Sequence, residues 1–267
     1  MIVKQIWTNN DFRNFNYIIA CPSTGEALAI DPLDYNKCLS VSKNNGFEIT
    51  QVLNTHHHHD HIGGNSDIIR QTGAKLLAHA EAKDDIPDID IGLSAGDTVS
   101  VGKLVELEVL DTPGHTMSHV CLLSHTDQPA LFCGDTLFNA GAGHCKGGGH
   151  PGSLYSTFNQ QLSKLTNNTL IYPGHDYIEN NLNFTLDREP DNEAATKLKK
   201  EIQGQDTNDP LVTTMELGSL LSITEDNERI FPTISSTLAA TANGVAVVYV
   251  LCERQLSDTP LAASGLE

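Results

Sequence analysis

The chain has 267 residues, 39% of them apolar, and a formal net charge of −18. That length can bury a large core, and the apolar fraction is that of a soluble globular protein. The charge argues against nucleic-acid binding, which depends on Lys and Arg neutralising phosphates. No apolar run nears the roughly 20 residues that span a bilayer. The opening Met1-Ile2-Val3-Lys4-Gln5-Ile6-Trp7 lacks the basic and apolar regions of a secretion signal. These features predict a cytoplasmic protein with neither membrane nor nucleic acid as partner. The six cysteines form no C-x-x-C pair and suit reduced, buried thiols.

Ile2–Trp7, Tyr17–Cys21 and Ala27–Ile30 read as short strands, punctuated by Gly25 and Pro32. Asp34–Asn45 reads as a helix stopped by Gly46, and Ile49–Leu53 as a buried strand leading into a histidine cluster. Asn65–Thr72 reads as a helix ending at Gly73, and Lys75–Ala78 as a strand. Thr98–Leu110 alternates as a hairpin around Gly102. Val120–Ser124, Ala130–Cys133 and Leu170–Tyr172 read as strands, with helical spacing over Ser153–Leu165. Strands and helices interleave in this way up to Asp176, the pattern of a layered α/β domain over residues 1–176. Residues 177–267 read as a mainly helical appendage, with helices over Glu193–Gln203 and Pro210–Leu221 and no assigned structure from Ile230 onward.

The run Thr55-His56-His57-His58-His59-Asp60-His61 carries the strongest chemical signal. Imidazole nitrogens and a carboxylate are the ligands that zinc and similar ions prefer. Alternate residues after a strand point the same way, so His56 and His58 can reach one metal. A turn into a helix would bring Asp60 and His61 to a second. His57 and His59 take the alternate positions and are expected to face away. One short run cannot enclose two metals, so further ligands are expected at other strand ends. Thr112-Pro113-Gly114-His115, Cys133-Gly134-Asp135 and Pro173-Gly174-His175 each follow a strand.

The set THHHHDH, TPGH, GDT and PGH resembles the metallo-β-lactamase superfamily and, more narrowly, glyoxalase II, the hydroxyacylglutathione hydrolases. The resemblance covers about residues 1 to 190, with an echo at Asp209–Met215. It implies an αββα sandwich with a small C-terminal helical appendage and two metals at one edge. By position, His56, His58 and His115 would hold the first metal, Asp60, His61 and His175 the second, and Asp135 would bridge them. Two divalent metals, zinc with iron or manganese as alternatives, would share a hydroxide of lowered pKa that attacks a thioester. Asp60 and Asp135 are the catalytic carboxylates on this reading, and the substrate is a small glutathione thioester of the S-lactoylglutathione type.

Tyr177 matches a substrate-binding position of that family. His144 stands where the family usually has a base, and Lys146 is expected to take the carboxylate contact. Lys146 is the only Lys or Arg between Lys103 and Lys164. The same superfamily also contains β-lactamases and lactonases, in which the same hydroxide can open a ring. It contains mononuclear-iron persulfide dioxygenases as well, with a Gly-Cys-Gly-Arg-x-Asp stretch where this chain reads GAGHCK.

Overall fold

The computed structural model describes residues 1–203 and 215–217. Strands β1 (Ile2–Trp7), β2 (Phe15–Ala20), β3 (Glu26–Ile30), β4 (Glu48–Leu53), β5 (Lys75–His79) and β6 (Ile91–Leu93) form one sheet in that order. β1 to β3 pair antiparallel and β3 to β6 parallel. The second sheet contains β7 (Thr98–Val101), β8 (Val105–Asp111), β9 (Val120–Ser124), β10 (Ala130–Gly134), β11 (Leu170–Pro173) and β12 (Met215–Glu216). Its order is β12-β11-β10-β9-β8-β7, antiparallel except for β10 with β11. The helices are α1 (Tyr35–Asn45), α2 (His59–Ile62), α3 (Asn65–Thr72), α4 (Pro151–Gln160), α5 (Ile178–Arg188) and α6 (Glu193–Ile202).

Period-two alternation of buried side chains produces four layers. Tyr17, Ile19, Leu28 and Ile30 share one apolar cluster with Val101, Leu107, Leu122 and Phe132 of the opposite sheet. Their neighbours Ile18, Ala20, Ala27 and Ala29 point the other way, against Cys38 of α1 and Ile68 of α3. In the second sheet Leu131 and Cys133 face outward to Leu154 of α4, Leu182 of α5 and Ala195 of α6. Central strands covered on both faces are buried throughout rather than alternating, as in β2 and β10. The result is the expected αββα sandwich.

The elements follow the sequence pattern closely, with four differences. Helical spacing over Ser153–Leu165 resolves into α4 and a separate 3-10 turn at Leu162–Lys164. β6 and α5 were not anticipated: β6 is three residues with a central glycine, and α5 carries its apolar positions amid asparagines. Met215–Glu216, expected inside a helix over 210–221, instead pairs with Leu170 and Ile171. The open edge of β11 offers main-chain groups that need partners, and this demand outweighs local helical spacing. Residues 210–214 and 218–221, the Asp209–Met215 echo apart from Met215 itself, and residues 230–267 lie outside the described residues. Among the described residues no helix is long and apolar enough to cross a membrane.

β3 and β4 run parallel, as do β10 and β11, so their carboxyl ends emerge along a shared edge of the sandwich. The segments that follow them carry Asp31, the histidine run, Asp135 and His175. This is where open sheets place ligands, because the chain leaves a rigid strand there and its next side chains converge.

Candidate metal centre

The C-terminal ends of β4, β8, β10 and β11 deliver the residues. After β4 the chain runs through Thr55 and His56 and enters α2 at His59, so Asp60 and His61 sit on a helical turn beside the extended His56–His58 segment. Three groups of potential ligand atoms lie within 4.8 Å of one another: His56, His58 and His115; Asp60, His61 and His175; and His56, His61 and Asp135. The first two groups are those that the family resemblance implied. Asp135 reaches both, with Oδ1 3.4 Å from His61 Nε2 and Oδ2 3.5 Å from His115 Nε2 and 3.2 Å from His175 Nε2.

Hydrogen bonds on the outer side of each ring assign the tautomers. A carbonyl oxygen can only accept, so the nitrogen facing it carries the proton and leaves the other nitrogen as a lone pair in the neutral ring. His58 Nε2 donates to the Gly147 carbonyl at 2.9 Å, and His115 Nδ1 to the His144 carbonyl. His175 Nδ1 donates to the Phe12 carbonyl at 2.7 Å, and His61 Nδ1 to the Asp31 carboxylate at 2.9 Å. Thr55 gives its own hydroxyl proton to Asp31 at 2.7 Å and accepts from His56 Nδ1 at 3.1 Å. In their neutral form all five rings therefore turn a lone pair inward. His56 Nε2 and His115 Nε2 face His58 Nδ1 at 3.1 and 2.9 Å, and His61 Nε2 faces His175 Nε2 at 3.2 Å. Lone pairs aimed at one another repel unless a cation sits between them. Asp135 Oδ1 is in addition buried without a hydrogen-bond partner. A donor set of converging imidazoles and carboxylates fits divalent transition metals.

Electrostatics point the same way. Burial, reinforced by neighbouring imidazoles, pushes His56 well below its ordinary value. Burial also lowers His115 to about 4, with Asp135 opposing. Burial works against charge on His61, yet Asp135, Asp31 and Asp60 outweigh it and hold that ring up at about 9. The same negative field that favours a proton there favours a metal cation. Burial disfavours a charged Asp135, but His175, His61 and His115 overcome this and keep it far below the usual carboxylate range. Asp60 is also lowered: burial opposes, while His61 and the Asn14 amide at 3.2 Å prevail.

The remaining expected residues fall into two sets. His59 is exposed, its ring edge-on to Phe12 and its Nδ1 3.9 Å from Asp60 Oδ1, and His57 faces Asp85 at 3.9 Å; neither belongs to a group of converging ligand atoms. His144 and Lys146 lie exposed on the loop after β10, with the His144 ring centroid 5.4 Å from that of His115. Tyr177 stacks on His175 at 4.8 Å and spends its hydroxyl proton on the Phe12 carbonyl at 2.8 Å. Three contributors escape a reading of the sequence. Asp31 holds both Thr55 and His61, Asn14 holds Asp60, and Phe12 contributes only its carbonyl. An acid directly after the apolar β3 was the one available signal, for Asp31. Gly174 has a steric reason: a Cβ there would lie 2.3 Å from Asp135 Oδ1.

Comparison with known proteins is consistent with this geometry. Residues 22–175 match the model of the metallo-beta-lactamase superfamily. A hydroxyacylglutathione hydrolase of Nitrosococcus oceani is 64% identical over 217 residues, covering 81% of this chain and 82% of that one. Another from Polaromonas sp. is 62% identical over 216 residues, covering 81% and 82%. The solved structure of ETHE1 from Myxococcus xanthus aligns with a TM-score of 0.60 and 30% identity, over 66% of this chain and 76% of that one. The chain belongs to the metallo-beta-lactamase superfamily and, within it, to the hydroxyacylglutathione hydrolases.

Proposed function

We propose that His56, His58 and His115 hold one divalent cation and Asp60, His61 and His175 a second, with Asp135 shared between them. The substrate we propose is a glutathione thioester of the S-lactoylglutathione type, hydrolysed in the cytoplasm. The observation that carries this reading is the set of five inward lone pairs arranged around one buried carboxylate. We propose zinc as the metal, with elemental analysis to decide among zinc, iron and manganese. Divalent cations at these positions supply Lewis acidity toward the thioester carbonyl and acidify water.

The chain's own residues orient and exclude. Asp135 and Asp60 stay ionised and are fixed by the rings around them, so neither needs to reorganise during the reaction. No cysteine nucleophile is needed: burial pushes the Cys121 thiol up to about 12, and Cys133 is likewise raised by burial. A thiolate leaves readily, so the site has little need of a general acid. Lys146, with His144 and Tyr177, is proposed to receive the carboxylate-bearing peptide portion of the substrate. The division into a catalytic domain over 1–176 and an appendage from 177 is a proposal of the same kind, although α5 and α6 pack into the same apolar cluster as the second sheet.

The test compares S-lactoylglutathione with a small uncharged thioester, with metal content measured on the same sample. Lys146→Ala removes a charge-assisted contact of about 1.5–3 kcal/mol. KM for the glutathione thioester is expected to rise on the order of tenfold or more while kcat changes less, the signature of lost uniform binding. The uncharged thioester should barely respond. Equal responses of the two substrates would make Lys146 structural and remove the basis for glutathione recognition on this loop.

A further inference from the structure

Two of the oxygens that fix the imidazole tautomers belong to one loop, the same loop that carries Lys146. The His144 carbonyl receives the His115 proton, and the Gly147 carbonyl receives the His58 proton at 2.9 Å. Main-chain bonds seat this loop against the same ligand segments. Gly143 N–H donates to the Asp135 carbonyl at 3.0 Å and His150 N–H to the Gly114 carbonyl at 2.8 Å, while Gly149 N–H closes the loop on the Cys145 carbonyl at 3.2 Å. Gly147 does not adopt a positive φ, so its backbone does not require glycine. Its space does: a Cβ there would lie 2.5 Å from His58 Nε2 and 3.0 Å from Cε1. The neighbouring Gly148 shows the opposite case, with φ +94° and nothing nearer to a Cβ than His57 at 3.8 Å.

We propose that the His144 and Gly147 carbonyls form a main-chain clamp that sets the cation affinity of the His56–His58–His115 group and couples it to occupation of the Lys146 loop. Gly147 is a positioning residue in this scheme and acts through His58. The inference rests on the ligand assignment proposed above. Groups that orient metal ligands from behind are worth about 10- to 100-fold in metal affinity. Lys146 lies between the two clamping carbonyls in sequence, so a carboxylate held by Lys146 steadies both. Coupling of binding free energies is reciprocal, and the ligand therefore tightens this cation group as the cation tightens ligand binding.

The experiment titrates zinc from a buffered series into the metal-stripped full chain and counts bound equivalents. Wild type, Gly147→Ala and Lys146→Ala are compared with and without S-methylglutathione, which has no free thiol to chelate zinc. Wild type should bind two equivalents, one of them more tightly when S-methylglutathione is present. Gly147→Ala should keep one equivalent at wild-type affinity and bind the other about 10- to 100-fold more weakly. Lys146→Ala should bind both as wild type does but lose the response to S-methylglutathione. The clamp is overturned if Gly147→Ala binds both equivalents normally or weakens both alike, and the coupling is overturned if S-methylglutathione leaves wild-type affinity unchanged. Should Gly147→Ala fail to fold, imidazole nitrogen NMR on the zinc-loaded wild type decides instead. His58 must carry its proton on Nε2 and His115 on Nδ1, and any other tautomer removes the clamp. A wild type that binds fewer than two equivalents defeats the underlying ligand assignment rather than the clamp.

Discussion

Asp31→Asn isolates the support beneath the second cation group. Asp31 is buried, and its carboxylate accepts from Thr55 N at 2.8 Å, Thr55 Oγ1 at 2.7 Å and His61 Nδ1 at 2.9 Å. Its φ of +47° is a conformation that Asn tolerates nearly as well as Asp, so the substitution leaves the backbone unstrained. What changes is one acceptor oxygen, replaced by a donor amide, and one negative charge. A charge-assisted hydrogen bond contributes about 1.5–3 kcal/mol. At about 1.4 kcal/mol per tenfold, that converts to roughly 10- to 100-fold in cation affinity, the range seen for groups behind metal ligands. Oδ2 alone accepts from both Thr55 Oγ1 and His61 Nδ1. An Asn that keeps its carbonyl there sets its NH2 against the Thr55 N–H, and one that turns round loses both acceptances. Either way the charge behind His61 is gone. We expect the affinity of the Asp60–His61–His175 group to fall by that factor and hydrolytic activity to fall with occupancy. Excess metal should restore part of the activity. Calorimetric zinc titration of the stripped variant measures the effect directly. Two equivalents bound at wild-type affinity would show that Asp31 merely braces the β3 turn and does not tune His61.

Asp135→Ala removes the one carboxylate that reaches both groups and should lower metal content and activity together; full metal content with full activity in that variant would refute the shared role. His57→Ala and His59→Ala should each leave the stoichiometry near two, and loss of an equivalent from either would show that it faces the site after all. The metal-stripped chain should lose stability as pH falls. His56, His115 and His119 are held neutral by burial, His115 down to about 4, whereas unfolded histidines titrate near 6.5. Below about 6.5 the unfolded chain binds protons that the folded one refuses, at a cost of about 1.4 kcal/mol per pH unit for each such ring. His61, raised to about 9, acts oppositely: its contribution is complete below 6.5 and is lost as pH rises through 9. Thermal melts in chelator should therefore shift downward between pH 7 and pH 5, and a flat or rising midpoint would contradict the assignment of buried neutral rings.

The parts of the site that are legible in the sequence are those whose side-chain chemistry does the work. His56, His58, Asp60 and His61 cluster after a strand, and His115, Asp135 and His175 each follow one, so residue type and position suffice to pick them out. The supporting layer is not legible because identity matters less there. Phe12 serves His175 and Tyr177 through a carbonyl that any residue possesses, and His144 serves His115 in the same way. Asn14 reaches Asp60 across 46 positions of sequence, a proximity only the fold creates. The sandwich itself follows from the alternation of β7 and β8 and from the short, continuously buried runs of β2, β3 and β10. α5 is hidden because Ile178, Leu182 and Phe184 are spread among polar residues, and β12 because its two residues are decided by the edge they complete.

The two cation groups differ in charge, and the difference bears on how an acidic protein accepts an acidic substrate. Directly behind His56, His58 and His115 stand a hydroxyl and two carbonyls, and Asp31 reaches this group only through the Thr55 hydroxyl. Behind His61 stands the Asp31 carboxylate, and Asp60 adds a second negative charge to the same group. Coulomb repulsion in a poorly screened site is several-fold stronger than in water, so an approaching carboxylate meets most opposition on the side of Asp31 and Asp60. The loop bearing Lys146 lies against the other side through the His144 and Gly147 carbonyls. A chain with net charge −18 repels anions at long range. If Lys146 receives the substrate carboxylate as proposed, it does so on the side of the site with fewer carboxylates, where a cation held by His56, His58 and His115 would be less neutralised by them. On the proposed assignment, the scarcity of carboxylates behind the first group and the placement of the only Lys or Arg between residues 103 and 164 would serve one electrostatic purpose.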